Sequence, residues 1–139
     1  MSFTLNVKSI QIIRTFTSVT KVDPLDFFEH NGIFIFLVPV GFGSKAIGQG
    51  GKSAKAVSAK LKKQIKIIEF GDKLDFLRKL ISPLSPDAVK EDPENSDIIL
   101  VESNDRKTKA LLIGRNASNL RSLEEIMRRH FSVQEIKVI

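Results

Sequence analysis

The chain has 139 residues, enough for one ordinary domain or two small ones, and its 42% hydrophobic content supports a packed core. Cysteine is absent, which excludes a disulfide scaffold and thiol chemistry, and His30 and His130 are too few for a zinc-ligand cluster. The net charge of +6 is uneven: residues 1–82 hold 13 Lys+Arg against 6 Asp+Glu, whereas 83–139 hold 9 against 10. Within the first part, residues 45–66 contain seven lysines and no acid. A field of that sign attracts polyanions, although a lysine face also serves solubility. No apolar run approaches the roughly 18 residues of a membrane span. Met1-Ser2-Phe3-Thr4 lacks the charged-then-apolar pattern of a signal peptide. A cytoplasmic protein without membrane contact is expected.

In chain order, residues 4–20 place Ile12, Ile13, Phe16 and Val19 on one helical stripe, and Asp23-Pro24 breaks it. Residues 25–28 predict a short strand, and His30-Asn31-Gly32 is a turn signal. Residues 33–40 are β-branched and aromatic without charge, as in a buried strand. After Gly41-Phe42-Gly43, residues 44–47 predict one helical turn with Ser44 as its cap. A glycine cluster at 48–51 follows. Ala54, Val57 and Leu61 then fall on one helical stripe, and 64–70 is strand-like.

Asp72 predicts an N-cap for a helix with Leu74, Leu77 and Ile81 inside, stopped by Pro83 and Pro86. Ala88-Val89 starts a short strand, 91–96 is a polar turn, and 98–101 is a second strand. Residues 108–113 predict a short helix, Leu120, Leu123 and Met127 mark the next, and 133–139 alternates as a final strand.

Both halves thus read helix, strand, strand, helix, turn, helix, strand. Ile47-Gly48-Gln49-Gly50-Gly51-Lys52 is echoed by Ile113-Gly114-Arg115-Asn116-Ala117. Around the turns, Ala54, Val57 and Leu61 match Leu120, Leu123 and Met127, while Lys55, Lys62 and Lys63 match Arg121, Arg128 and Arg129. Apolar sites map to apolar ones and cations to cations in one phase. A glycine turn before a helix presents bare backbone N–H groups that a sugar-phosphate chain can approach.

Strand-strand-helix-(I-G-x-x-G)-helix-strand, preceded by a helix, resembles the type II KH domain. Two such units back to back resemble the archaeal NusA-like transcription factors, over nearly the whole chain. The resemblance implies an α+β (α/β KH-type) fold of two tandem type II KH domains, each a small sheet with helices on one face. The units are 1–82, with the N-terminal helix, and 83–139, whose leading helix lies at about 72–82. It implies binding of nascent single-stranded RNA in transcription elongation or termination. RNA polymerase is a further partner, although the chain has no room for the polymerase-binding and OB-type domains of bacterial relatives. A GxxG turn clamps the backbone of about four nucleotides.

Carried onto this sequence, the first clamp is Ile47, Gly48, Gln49, Gly50 and Gly51, with Lys45, Lys52 and Lys55 supplying attraction. Bases are expected between the helix that opens near Lys52 and the strand at 64–70. The second clamp is Gly114, Arg115, Asn116 and Ala117, flanked by Asn119 and Arg121. Arg115 can fork onto a phosphate. Ala117 stands where the motif has its last glycine, so the first unit is expected to carry most of the affinity and the second to extend the footprint.

Other readings are weaker. Gly51-Lys52-Ser53 resembles the end of a P-loop, but Ala46 stands where that motif needs glycine. Gly41-Phe42-Gly43-Ser44-Lys45-Ala46 fits a loose dinucleotide fingerprint, yet a second glycine cluster interrupts its helix and the repeat has Ser103-Asn104-Asp105 there. Phe27, Phe28, Phe34 and Phe36 sit at strand spacing and are expected in the core, not on a stacking platform. His30 and His130 are expected at the surface. Glu124 and Glu125 are expected to pair with Arg128 and Arg129 one turn on. No nucleophile–base pair is apparent, so no enzyme activity, cofactor or metal is expected. A KH protein of ribosome assembly or RNA processing, or a degenerate KH pair serving as a protein scaffold, are the alternatives.

Overall fold

The computed structural model describes residues 6–139, so the helix start expected at Thr4 and the stretch Met1-Ser2-Phe3-Thr4 lie outside the described residues. The chain divides after Gly71 into two compact units, ahead of the boundary drawn at 82/83. The helix at 72–82 therefore goes with the second unit. All of the net charge falls on the first: residues 1–71 hold 10 Lys+Arg against 4 acids, and 72–139 hold 12 of each.

The first unit runs α1 (Val7–Thr20), β1 (Asp26–His30), β2 (Ile33–Pro39), α2 (Gly43–Ile47), α3 (Lys52–Leu61) and β3 (Ile65–Phe70). Asn6 caps α1 by accepting the Ser9 N–H at 2.8 Å. Asn31-Gly32, with φ of 52° and 76°, closes the β1–β2 hairpin as a two-residue turn. The sheet order is β1-β2-β3, with β1 antiparallel and β3 parallel to the central strand. Sequential parallel strands need a crossover, and α2, the glycine turn and α3 supply it.

One sheet face carries Phe27, Phe34, Phe36 and Val38, which pack with Ile12 and Phe16 of α1, Ala46 of α2 and Val57 of α3. The rings of Phe16 and Phe36 stack at 4.2 Å, and Phe27 meets Phe34 edge-on at 5.1 Å. Each such ring withdraws enough apolar surface to be worth roughly 1.5–3 kcal/mol. The four strand phenylalanines are core, as the spacing predicts. β2 is buried along its length, as an uncharged run requires.

The second unit runs α4 (Lys73–Ile81), β4 (Ala88–Asp92), β5 (Asn95–Glu102), α5 (Arg106–Ile113), α6 (Ser118–His130) and β6 (Glu135–Val138). Its sheet repeats the first, β4-β5-β6, antiparallel then parallel. Asp72 caps α4 through the Asp75 N–H, and Asp105 caps α5 through the Thr108 N–H. The Thr108 hydroxyl also donates to Asp105 and holds that carboxyl below the usual range. Phe76, Leu77, Leu80 and Ile81 are the buried residues of α4, a broader stripe than Leu74, Leu77 and Ile81. Val89, Ile99, Val101 and Ile136 of the sheet are buried, as are Leu112 of α5 and Leu123, Ile126 and Met127 of α6.

Three local expectations are corrected. Ser44 does not cap α2: the helix starts at Gly43, after Phe42 in the cap position, and the Gly43 N–H is satisfied by Glu69 Oε2 of β3 at 2.8 Å. His30 is 7% exposed, because it ends β1 as an inward strand position and not in the turn. His130 is half-buried, its Nδ1 2.8 Å from the Ile126 carbonyl and its ring 5.9 Å from that of Phe76.

Candidate nucleic-acid interface

α2 ends at Ile47, and Gly48 leaves the helix at φ 82°, ψ 167°, a region open essentially to glycine alone. The Gly48 N–H bonds back to Ser44 O at 2.9 Å, and the Gly51 N–H to Gly48 O at 3.1 Å. Gly50 (φ 63°) and Gly51 (φ 76°) are left-handed, and they complete a tight turn that feeds α3. Gln49 and Gly50 are exposed, and a Cβ on Gly50 would meet nothing within 4 Å.

The second turn has the same backbone. Gly114 stands at φ 75°, ψ 175°, Asn116 at φ 54° and Ala117 at φ 60°, and the bonds recur from Gly114 N–H to Ala110 O and from Ala117 N–H to Gly114 O. Asn116 tolerates the left-handed region, but alanine carries about 1 kcal/mol of strain there. We therefore expect Ala117→Gly to stabilise the chain by about 0.5 kcal/mol in urea unfolding, the relief being partly offset by glycine's greater unfolded-state freedom. A loss of stability would mean that the turn relaxes around Ala117.

The glycines of each turn do different work. A Cβ on Gly48 would lie 2.7 Å from Ser53 Oγ and 2.8 Å from Ser53 N. A Cβ on Gly114 would lie 2.8 Å from Asn119 Cβ and 2.9 Å from Asn119 N. These two positions let the turn fold onto the next helix, whereas a Cβ on Gly50 would meet open space and one on Gly51 only Lys55 Cε at 3.7 Å. Asn119 is likewise engaged: its side-chain amide donates to Leu112 O at 2.8 Å and caps α5.

Lys45, Lys52 and Lys55 are exposed around the first turn, and no ion pair holds any of them among the described residues. Arg115 and Arg121 are exposed beside the second. α3 also offers its N-terminal backbone N–H groups to an anion at Lys52. Ile47 is 40% exposed at the rim.

The strand edges differ in a way the sequence concealed. In the second unit Glu124 Oε2 accepts the Ile136 N–H at 2.9 Å, and the Arg128 guanidinium donates to Gln134 O at 2.7 Å. The expected Glu124–Arg128 pair exists at 3.9 Å, but both groups chiefly fasten α6 to β6. Ser58 stands in the matching place of α3, and its hydroxyl bonds Lys63 O at 2.6 Å. Lys66 on β3 is partly buried, which pulls its ammonium below the usual lysine range. Among the described residues no group of three or more His, Cys, Asp or Glu is placed to hold a metal, and no helix is long and apolar enough to cross a membrane.

A parallel crossover through two helices joined by a glycine turn, built twice on mixed three-stranded sheets, is an α+β fold consistent with the KH type. The sequence is archaeal NusA-like. It is 29% identical over 136 residues, 97% of this chain and 74% of the relative, to a protein of Methanocaldococcus jannaschii named probable transcription termination protein NusA. Proteins of the same name from Methanococcus vannielii and Halobacterium salinarum are 26% and 24% identical, covering 100% and 99% of this chain and 81% and 99% of theirs. The crystal structure of APE1850 matches 97% of this chain and 100% of its own with a TM-score of 0.63, and at 23% identity it speaks to the fold alone. No protein-family model matches the chain.

Proposed function

We propose that this chain is a single-stranded RNA-binding protein that acts, as an archaeal NusA-like factor, in transcription elongation or termination. The observation that carries the reading is the open turn at 48–51, bare of side chains at Gly50 and ringed by unpaired lysines on the unit that holds the whole net charge. Gly50, Gly51 and the first N–H groups of α3 hold phosphate, and Lys45, Lys52 and Lys55 draw the strand in. Arg115, Asn116 and Arg121 extend the footprint in the second unit, whose Ala117 methyl and neutral balance leave it the weaker site. The relatives' names support the transcriptional role; nascent RNA and RNA polymerase are the proposed partners, in the cytoplasm, with no catalytic step proposed.

Salt titration of RNA binding by the full chain tests this reading. Each phosphate neutralised contributes a log–log slope of about −0.7, so a clamp on about four nucleotides gives roughly −2 to −3. A flat response removes the electrostatic basis of the proposal. Co-purification with RNA polymerase and not with pre-ribosomal particles is the expected outcome in cells.

A further inference from the structure

Phe42 is 45% exposed, alone among the described phenylalanines in that class. Its main chain is fixed from both sides: its N–H bonds Pro39 O at 3.1 Å, and its carbonyl accepts the Ala46 N–H at 3.0 Å as the first bond of α2. Gly43 and Ala46 of α2 turn inward and are buried, so Phe42 and Lys45, three residues apart, share the outward face. Val40, two residues earlier, is 64% exposed. Along the helix axis Phe42 precedes Gly48 by roughly 9 Å. The residue keeps 45% of its surface in water, so a stacked partner would gain burial there.

A held aromatic, a lysine on the same face and a backbone-gripping turn are the parts from which single-strand binding is made: base stacking plus a cationic track. The repeat lacks the ring, since Thr108 occupies the matching position with its hydroxyl bound to Asp105. We propose that Phe42 stacks on a base of the same RNA strand whose backbone lies against Gly48–Gly51. This rests on the RNA-binding reading above, and it assigns base contact to the approach to α2 in the first unit, beside the end of β3 where Glu69 accepts the Gly43 N–H.

The test uses the full chain, fluorescence anisotropy, a labelled short oligo(A) and an abasic ribose-phosphate oligomer of equal length. Phe42→Ala and Phe42→Leu are expected to weaken oligo(A) binding about tenfold. Phe42→Trp should retain it, the abasic oligomer should bind all variants equally, and the salt slope should not change. Circular dichroism should show an unaltered fold, because the ring is exposed. If Phe42→Ala binds oligo(A) like the wild type while Gln49→Asp/Gly50→Asp loses it, stacking is overturned, the clamp stands, and the exposed ring serves a protein partner. If Phe42→Leu binds like the wild type, the contact is merely apolar and the proposal fails. If neither the Phe42 variants nor the aspartate pair changes binding, both readings fall.

Discussion

Gly48→Ala is expected to lower the unfolding free energy by about 3 kcal/mol. Two independent effects add. The backbone at φ 82°, ψ 167° lies where only glycine rests without strain. The new methyl would also stand 2.8 Å from the main-chain nitrogen of Ser53, and a backbone atom at the first turn of α3 cannot swing aside as a side-chain tip can. Gly114→Ala should behave alike, since Asn119 N lies 2.9 Å from the added atom. Gly50→Ala, by contrast, meets open space and should cost only about 1 kcal/mol for its left-handed φ. The chain has no Trp or Tyr, so urea unfolding is best followed by far-UV circular dichroism. Equal losses for Gly48→Ala and Gly50→Ala would show that the turn is loose and that the packing distinction is wrong.

The paired substitution Gln49→Asp/Gly50→Asp is expected to weaken single-stranded RNA binding about thirtyfold while the fold survives. Two unit charges placed about 4 Å from phosphates oppose binding by about 1 kcal/mol each even at the dielectric of water. Neither side chain has a packing role: Gln49 is exposed, Gly50 is surrounded by open space, and aspartate accepts the left-handed region better than most residues. Both acids would also sit just ahead of α3, where negative charge favours a helix and offsets part of the strain at the left-handed Gly50 position, so stability should fall by no more than about 1 kcal/mol. Stability and affinity are thus predicted to move apart, which general unfolding cannot mimic. Undiminished affinity would sink the clamp assignment.

Much of this architecture is legible in the amino-acid order because the repeat checks itself. Val57 and Leu123 are buried at matching places, and the strand phenylalanines fall at a spacing that sends Phe34, Phe36 and Val38 to one face. The GxxG phase was legible for the same reason. What stayed hidden depends on three-dimensional neighbours. Gly48 and Gly50 look equivalent in a glycine cluster, and only the return of α3 over the turn separates a packing glycine from an open one. Asn119 reads as a flank of the second clamp until α5 ends within reach of its amide. Glu124 and Arg128 read as an ordinary helix pair until β6 arrives beside them. The exposure of Phe42 has no signal in the sequence, because composition gives no direction to a side chain in a tight turn. His30 was misplaced for the simplest reason: the hairpin turn begins one residue later, at Asn31, and strand alternation sends the imidazole inward.

The central claim is that the first glycine turn, and not some other basic face, receives the RNA backbone. Backbone amide NMR of the full chain, titrated with a short single-stranded RNA, addresses it residue by residue. The account predicts that the largest shifts fall on Gly48–Lys52 and the adjoining turn of α3, with smaller ones at Gly114–Ala117. Shifts concentrated on β4–β5 or the outer face of α1, with the first turn unmoved, would contradict it.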